Sequence, residues 1–117
     1  MASIRDLVAA IRQREGVEAA VVLGRDGLLI DSQTVPALDP ERIAALIPPI
    51  IGPADELGGA LRHAELLTAV LEYRGSVAIL AAMSSEAILF VLVTPQANIG
   101  QLLFELRRNR DHFAALV

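Results

Sequence analysis

The side chains able to do chemistry in this chain are few and poorly placed for it. His63 and His112 are the only histidines. A metal site would need them to converge with carboxylates such as Glu65 or Asp111, and no ligand spacing supports that, so both read as surface residues. There is no cysteine, which removes disulfides, thiolate nucleophiles and cysteine metal sites together. Gly58-Gly59 is not followed by lysine, and neither GxxxxGK[ST] nor GxGxxG occurs, so any nucleotide sits on a partner. Arg107, Arg108 and Arg110 form a basic cluster. With Glu105 and Asp111 close enough to offset them, they read as the solvated face of a helix rather than a site for lipid headgroups or an acidic surface. No residue set reads as an active site, and neither metal nor cofactor is expected. Function must lie in surfaces.

Composition narrows those surfaces. The 117 residues carry a formal charge of −4 and no run of basic residues interleaved with aromatics, so nucleic acid is set aside. An apolar fraction of 54% with only three Phe and one Tyr means a core of Leu, Ile, Val and Ala, richer than the usual ~45–50%. The excess needs burial, in an unusually complete core or against a partner. All ten basic residues are arginine, which reflects codon composition more readily than selection for forked donors. Met1-Ala2-Ser3-Ile4-Arg5-Asp6 lacks a signal-peptide apolar core, which makes a cytoplasmic location the expectation. Ser84, Ser85, Pro95, Gln96 and Asn98 interrupt the apolar stretch between Gly75 and Phe104, so no membrane span is expected.

The elements that position these surfaces follow from spacing. Ile4, Leu7, Val8 and Ile11 recur at helical intervals behind Ser3, an N-cap, and Gly16 ends the segment. Val17 to Gly24 and Leu28 to Ser32 form a hairpin about Arg25-Asp26-Gly27. Asp39-Pro40 starts a second helix carrying Ile43, Leu46, Ile47, Ile50, Ile51, Ala54 and Leu57. Pro48, Pro49 and Gly52-Pro53 interrupt it, so a bent helix or two short ones meeting near Pro48 is predicted, ending around Gly58-Gly59. Leu66 to Tyr73, Ser76 to Met83 and Glu86 to Val93 read as a three-strand meander. Asn98 caps a final helix, with Ile99, Leu103, Leu106, Phe113 and Val117 along one stripe. Residues 1–117 therefore read as a single domain of order α-β-β-α-β-β-β-α.

Neither Ser76–Met83 nor Ala87–Val93 alternates apolar with polar residues, so both faces of the sheet must be covered. The fold class is α/β, or more strictly α+β: a three-layer α/β/α sandwich around a five-stranded, mostly antiparallel sheet. If the first and last helices share one face, the middle helix alone must close the other. A helix about 10–12 Å across cannot cover a sheet face of roughly 20 Å. A second copy of that helix from a two-fold related subunit closes it, with the third strand the natural edge to pair across the axis. The expected interface comprises Ile43, Leu46, Ile47, Ile50 and Ile51 of the helix and Leu66, Thr68 and Val70 of the strand. The plainer alternative is a fully buried core helix.

Asp26-Gly27, Leu71-Glu72-Tyr73-Arg74-Gly75, and Ala97-Asn98-Ile99-Gly100 leading to Leu106-Arg107-Arg108 resemble the roadblock/LC7 family over nearly the whole chain. The resemblance implies the same element order and a homodimer built on the middle helix and third strand, joined into one continuous sheet. It implies a non-enzymatic protein whose partner is a small Ras-like GTPase, bound as activator or effector and most similar to the bacterial regulators of gliding polarity. The family's middle helix is commonly uninterrupted, and the prolines here depart from that.

An activator that inserts an arginine beside the transferring phosphoryl group would find its candidates in Arg42 and Arg62, which flank the middle helix; such a residue is worth about 10³–10⁵ in rate. Arginine at a helix end is more often solvated. Two other functions compete with the regulator. One is a dimeric or heterodimeric scaffold without effect on hydrolysis; the other is a sensor holding a small apolar molecule beneath the interrupted helix.

Overall fold

The computed structural model describes residues 3–116. Its elements are α1 (Ile4–Arg12), β1 (Val17–Gly24), β2 (Leu29–Thr34), α2 (Pro40–Leu46), α3 (Pro48–Ala60), β3 (Thr68–Tyr73), β4 (Ser76–Ala82), β5 (Ala87–Val93), α4 (Ile99–Arg108) and α5 (Arg110–Ala114). The five strands lie in the order β2-β1-β5-β4-β3, and every neighbouring pair is antiparallel. The doubly apolar strands β1, β5 and β4 occupy the middle, where both faces need cover. The more polar β2 and the half-exposed β3 form the edges.

Alternation along the strands divides the core into two layers. Ala20, Val22, Ile79, Leu89 and Val91 pack with Leu7, Val8 and Ile11 of α1 and with Leu102 and Leu106 of α4. Ala19, Val21, Leu23, Leu80 and Ile88 face Ala44, Ile47 and Ile51 of α2 and α3. The first and last helices thus share one face and the middle segment has the other.

Helix starts are locally encoded. Ser3 accepts from the Asp6 N–H, Asp39 from the N–H groups of Glu41 and Arg42, and Asn98 from that of Gln101. At the Pro48-Pro49 break the middle helix divides as expected, yet Ile47 keeps helical dihedrals of −74° and −43°. The rod therefore continues where its hydrogen-bond ladder lapses, because the two prolines lack donors. The Ile50 and Ile51 N–H groups both reach the Ile47 carbonyl, at 2.9 and 3.0 Å.

Several boundaries differ from the sequence expectation. β3 begins at Thr68, leaving Leu66 in the preceding loop. The last helix is interrupted at Asn109, whose N–H and side-chain Nδ2 both donate to the Glu105 carbonyl. The expected stripe is there, Leu106 buried and Ile99, Leu103 and Phe113 partly buried against the same core, with Leu102 buried beside them; Val117 lies outside the described residues.

Candidate interaction surface

α2 lies over β2 and β1 and Ile51 of α3 sits beside Ile88 of β5, so what stays open on this face is the stretch toward β3, around Leu71, Tyr73 and Leu92. The opening is a cleft of about 590 Å³. Ile43, Leu46, Ile47 and Ile50 form its helical wall, and Leu71, Tyr73, Ala78, Phe90 and Leu92 line the sheet side. Leu46 is 53% and Tyr73 55% exposed, an unusual setting for large apolar side chains lining one cleft.

Four of the five isoleucine and leucine positions singled out on the middle helix therefore converge. Ile51 does not: it is buried toward Leu23 and Ile88, beside a smaller cavity of about 180 Å³ under α3. Leu66 is half-buried against the same core layer. Thr68 and Val70 are not brought to the cleft, since β3 alternates and its cleft-facing residues are Leu71 and Tyr73. Val70 pairs with Ile79 and stands with it on the α1/α4 side. The cleft floor went unread in the sequence because an isolated strand does not tell which of its two residue sets faces which layer.

At the outer border of the cleft β3 is the sheet edge, and among the described residues no strand pairs with its outer side. Ala82 N–H donates to the Leu67 carbonyl at 3.0 Å, and Tyr73 and Ser76 close the two-residue turn at Arg74-Gly75. Antiparallel alternation then turns the backbone groups of Leu67, Ala69, Leu71 and Tyr73 toward β4, leaving those of Thr68, Val70 and Glu72 facing outward.

The arginines divide differently from their sequence pattern. Arg42 is exposed in the first turn of α2, and Arg62 follows α3 in left-handed backbone with φ of 63°. They sit at opposite ends of the α2–α3 rod, roughly 30 Å apart at 1.5 Å per residue. Arg110 is no part of a solvated basic face. Its Nη1 donates to the carbonyls of Leu67 (3.1 Å) and Ala82 (2.7 Å), and its Nη2 to Thr68 Oγ1 (3.2 Å), fixing α5 to the ends of β3 and β4. Glu105 pairs with Arg14 of the α1–β1 connection at 2.5 Å rather than with its neighbours Arg107 and Arg108.

Among the described residues no three His, Asp or Glu side chains cluster as a metal site, and no helix is long and apolar enough to cross a membrane. What the arrangement offers is an apolar cleft continuous with a free strand edge.

Known proteins share this architecture. MglB of Myxococcus xanthus superposes with a TM-score of 0.85 at 14% identity, covering 97% of this chain and 95% of that one. A Roadblock/LC7 domain from Streptomyces avermitilis gives 0.81 at 20% identity, covering 94% and 93%. An uncharacterized protein of Methanocaldococcus jannaschii, MJ0310, is 26% identical over 106 residues, spanning 91% of this chain and 92% of its own. The Roadblock/LC7 domain profile matches residues 4–93. That match ends before Ala97-Asn98-Ile99-Gly100 and Arg107-Arg108, so those residues are not what carries it. The helices and strands from Ile4 to Val93 suffice: this chain belongs to the Roadblock/LC7 domain family.

Proposed function

We propose that this chain is a non-enzymatic regulator that pairs with a second copy of itself and, as a homodimer, binds a small Ras-like GTPase. The observation that carries the pairing is the apolar cleft walled by Ile43, Leu46, Ile47 and Ile50 and bordered by the unpaired edge of β3. A second copy supplies both things the monomer lacks, a helix to fill the cleft and a strand for the edge. Ile51 and Leu66 support that interface from the core side, while Thr68 and Val70 enter it through their outward backbone groups.

Membership of the family supports the GTPase as partner. The nucleotide belongs to that partner, and this chain acts by contact, through the outer side of the α2–α3 rod. Arg42 and Arg62, exposed at its two ends, are the proposed polar contacts.

Sedimentation of the pure chain at micromolar concentration tests the dimer, and a 12.5 kDa species overturns it. Co-purification with the small GTPases of the same genome, followed by single-turnover GTP hydrolysis, tests the partner. Binding with acceleration identifies an activator, and binding alone an effector or scaffold. Failure of every such GTPase to bind overturns the regulatory reading.

A further inference from the structure

Glu72 is the one acidic residue on β3; it is exposed, and among the described residues no hydrogen bond or ion pair engages it. On the same face of the same strand, four residues away, Thr68 Oγ1 accepts from Arg110 Nη2. Arg110 has five N–H donors, and its bonds to Leu67, Ala82 and Thr68 use three. An unpaired carboxylate and an arginine with donors to spare thus lie at the two ends of one free edge.

Resting on the homodimer reading above, we propose that Glu72 and Arg110 set the register of the two subunits, through a Val70-centred antiparallel pairing of β3 with β3. In a two-fold pairing some residue lies opposite its own copy. Only Thr68, Val70 and Glu72 turn backbone groups outward. Centring on Glu72 sets two carboxylates against each other, and centring on either Glu72 or Thr68 shortens the overlap. Centring on Val70 aligns nearly the whole strand and places Glu72 opposite Thr68 of the other copy, on one face, with Cβ atoms about 4.5–5.5 Å apart. There the carboxylate reaches the Thr68 hydroxyl and the spare donors of Arg110.

The same register partners the exposed apolar side chains of this edge. Val70, 47% exposed, meets its own copy, and Leu67 (46%) meets Tyr73 (55%) on the cleft face. Moving the axis by one residue, to Ala69 or Leu71, faces Glu72 with Leu66 or with Val70 and leaves it without a polar mate.

The chain has no cysteine, so single-cysteine variants report the register directly. Val70→Cys is expected to give a covalent dimer under mild oxidation, since a directly opposed pair lies about 5.5 Å apart, within disulfide reach. Ala69→Cys and Leu71→Cys, each offset from its own copy by two residues along the strand, are expected to stay uncoupled. Glu72→Arg is expected to weaken self-association about tenfold, because it sets two like-charge contacts in each dimer while touching nothing in its own subunit. Coupling at position 69 or 71 instead of 70 overturns the register, and unchanged association of Glu72→Arg overturns the role of the pair. A wild-type dimer that couples at none of the three positions overturns strand pairing while leaving the dimer standing. A monomeric wild type overturns the dimer reading and this inference with it.

Discussion

Arg25 Nη1 lies 2.8 Å from Asp55 Oδ2, joining the tip of the β1–β2 hairpin to the outer half of α3. The same guanidinium donates through Nε to the Ser84 carbonyl, and the Arg25 N–H donates to that of Glu86. Three chain segments distant in sequence therefore meet at one side chain. The ion pair is partly exposed, with side chains 28% and 43% accessible, so its Coulombic share is small.

Removing each partner separates those shares. Asp55→Ala is expected to cost no more than about 1 kcal/mol, the range of partly exposed ion pairs. Arg25→Ala also releases the Ser84 carbonyl and is expected to cost about 1–2 kcal/mol. Urea unfolding of the two variants checks the order. Equal losses would mean that the Ser84 bond contributes nothing.

Gly16 is a sharper case, because two independent constraints fall on it. Its φ is +86°, and a Cβ there would come within 2.7 Å of the Ala97 Cβ. Gly16→Ala is expected to destabilise by about 2–4 kcal/mol, combining the left-handed backbone with overpacking. Adding Ala97→Gly removes the closest contact but leaves the dihedral strain and the tight approaches to Thr94 Oγ1 (3.1 Å) and the Ala97 Cα (3.3 Å), so the double variant is expected to recover only part of the loss. Chemical denaturation of both proteins measures the division.

Much of this architecture was legible because its signals are local. Ser3, Asp39 and Asn98 cap the helices they were expected to cap, and the unbroken apolar runs of β4 and β5 gave a sheet covered on both sides. The count of helices against sheet faces anticipated an open half-face, and a cleft lies there. What stayed hidden was contact between segments far apart in sequence. Thr68 and Val70, expected at the interface, stand on the α1/α4 side of β3, whereas Leu71 and Tyr73 line the cleft, a division that only the pairing with β4 reveals. Arg110 looked like one of three equivalent surface arginines, and only the approach of α5 to the ends of β3 and β4 sets it apart.

That difference among the arginines is measurable. Arg110→Ala leaves the Leu67 and Ala82 carbonyls and the Thr68 hydroxyl short of a donor, and is expected to cost about 2–3 kcal/mol. Arg107→Ala and Arg108→Ala, both exposed, are expected to fall within about 0.5 kcal/mol of the parent. Thermal unfolding at matched protein concentration resolves the gap.

Pro53 stands inside α3, where it cannot donate to the Pro49 carbonyl four residues back. Its side chain is exposed, so packing does not explain it. Pro53→Ala is expected to raise stability by about 1–2 kcal/mol, less than the full helix-interior penalty of ~3 kcal/mol because the alanine chain also gains freedom when unfolded. An unchanged or lowered unfolding midpoint would show that the rod has relaxed fully around the proline.

Leu46 and Ile47 are adjacent in sequence yet differ in what they face, and this separates assembly from folding. Ile47 is 4% exposed and packs in the core layer beneath α2, whereas Leu46 is 53% exposed at the mouth of the cleft. A carboxylate at position 47 would be buried among apolar side chains without a partner, and Ile47→Glu is expected to abolish cooperative folding. At position 46 the monomer leaves a carboxylate in water, so Leu46→Glu is expected to retain the native circular dichroism spectrum. In the dimer that carboxylate would be desolvated against apolar groups of the second copy, and sedimentation is expected to find a folded monomer. If Leu46→Glu folds and still dimerises with parental affinity, the cleft is not the self-association surface, and the exposed apolar wall of α2 must be kept for another protein.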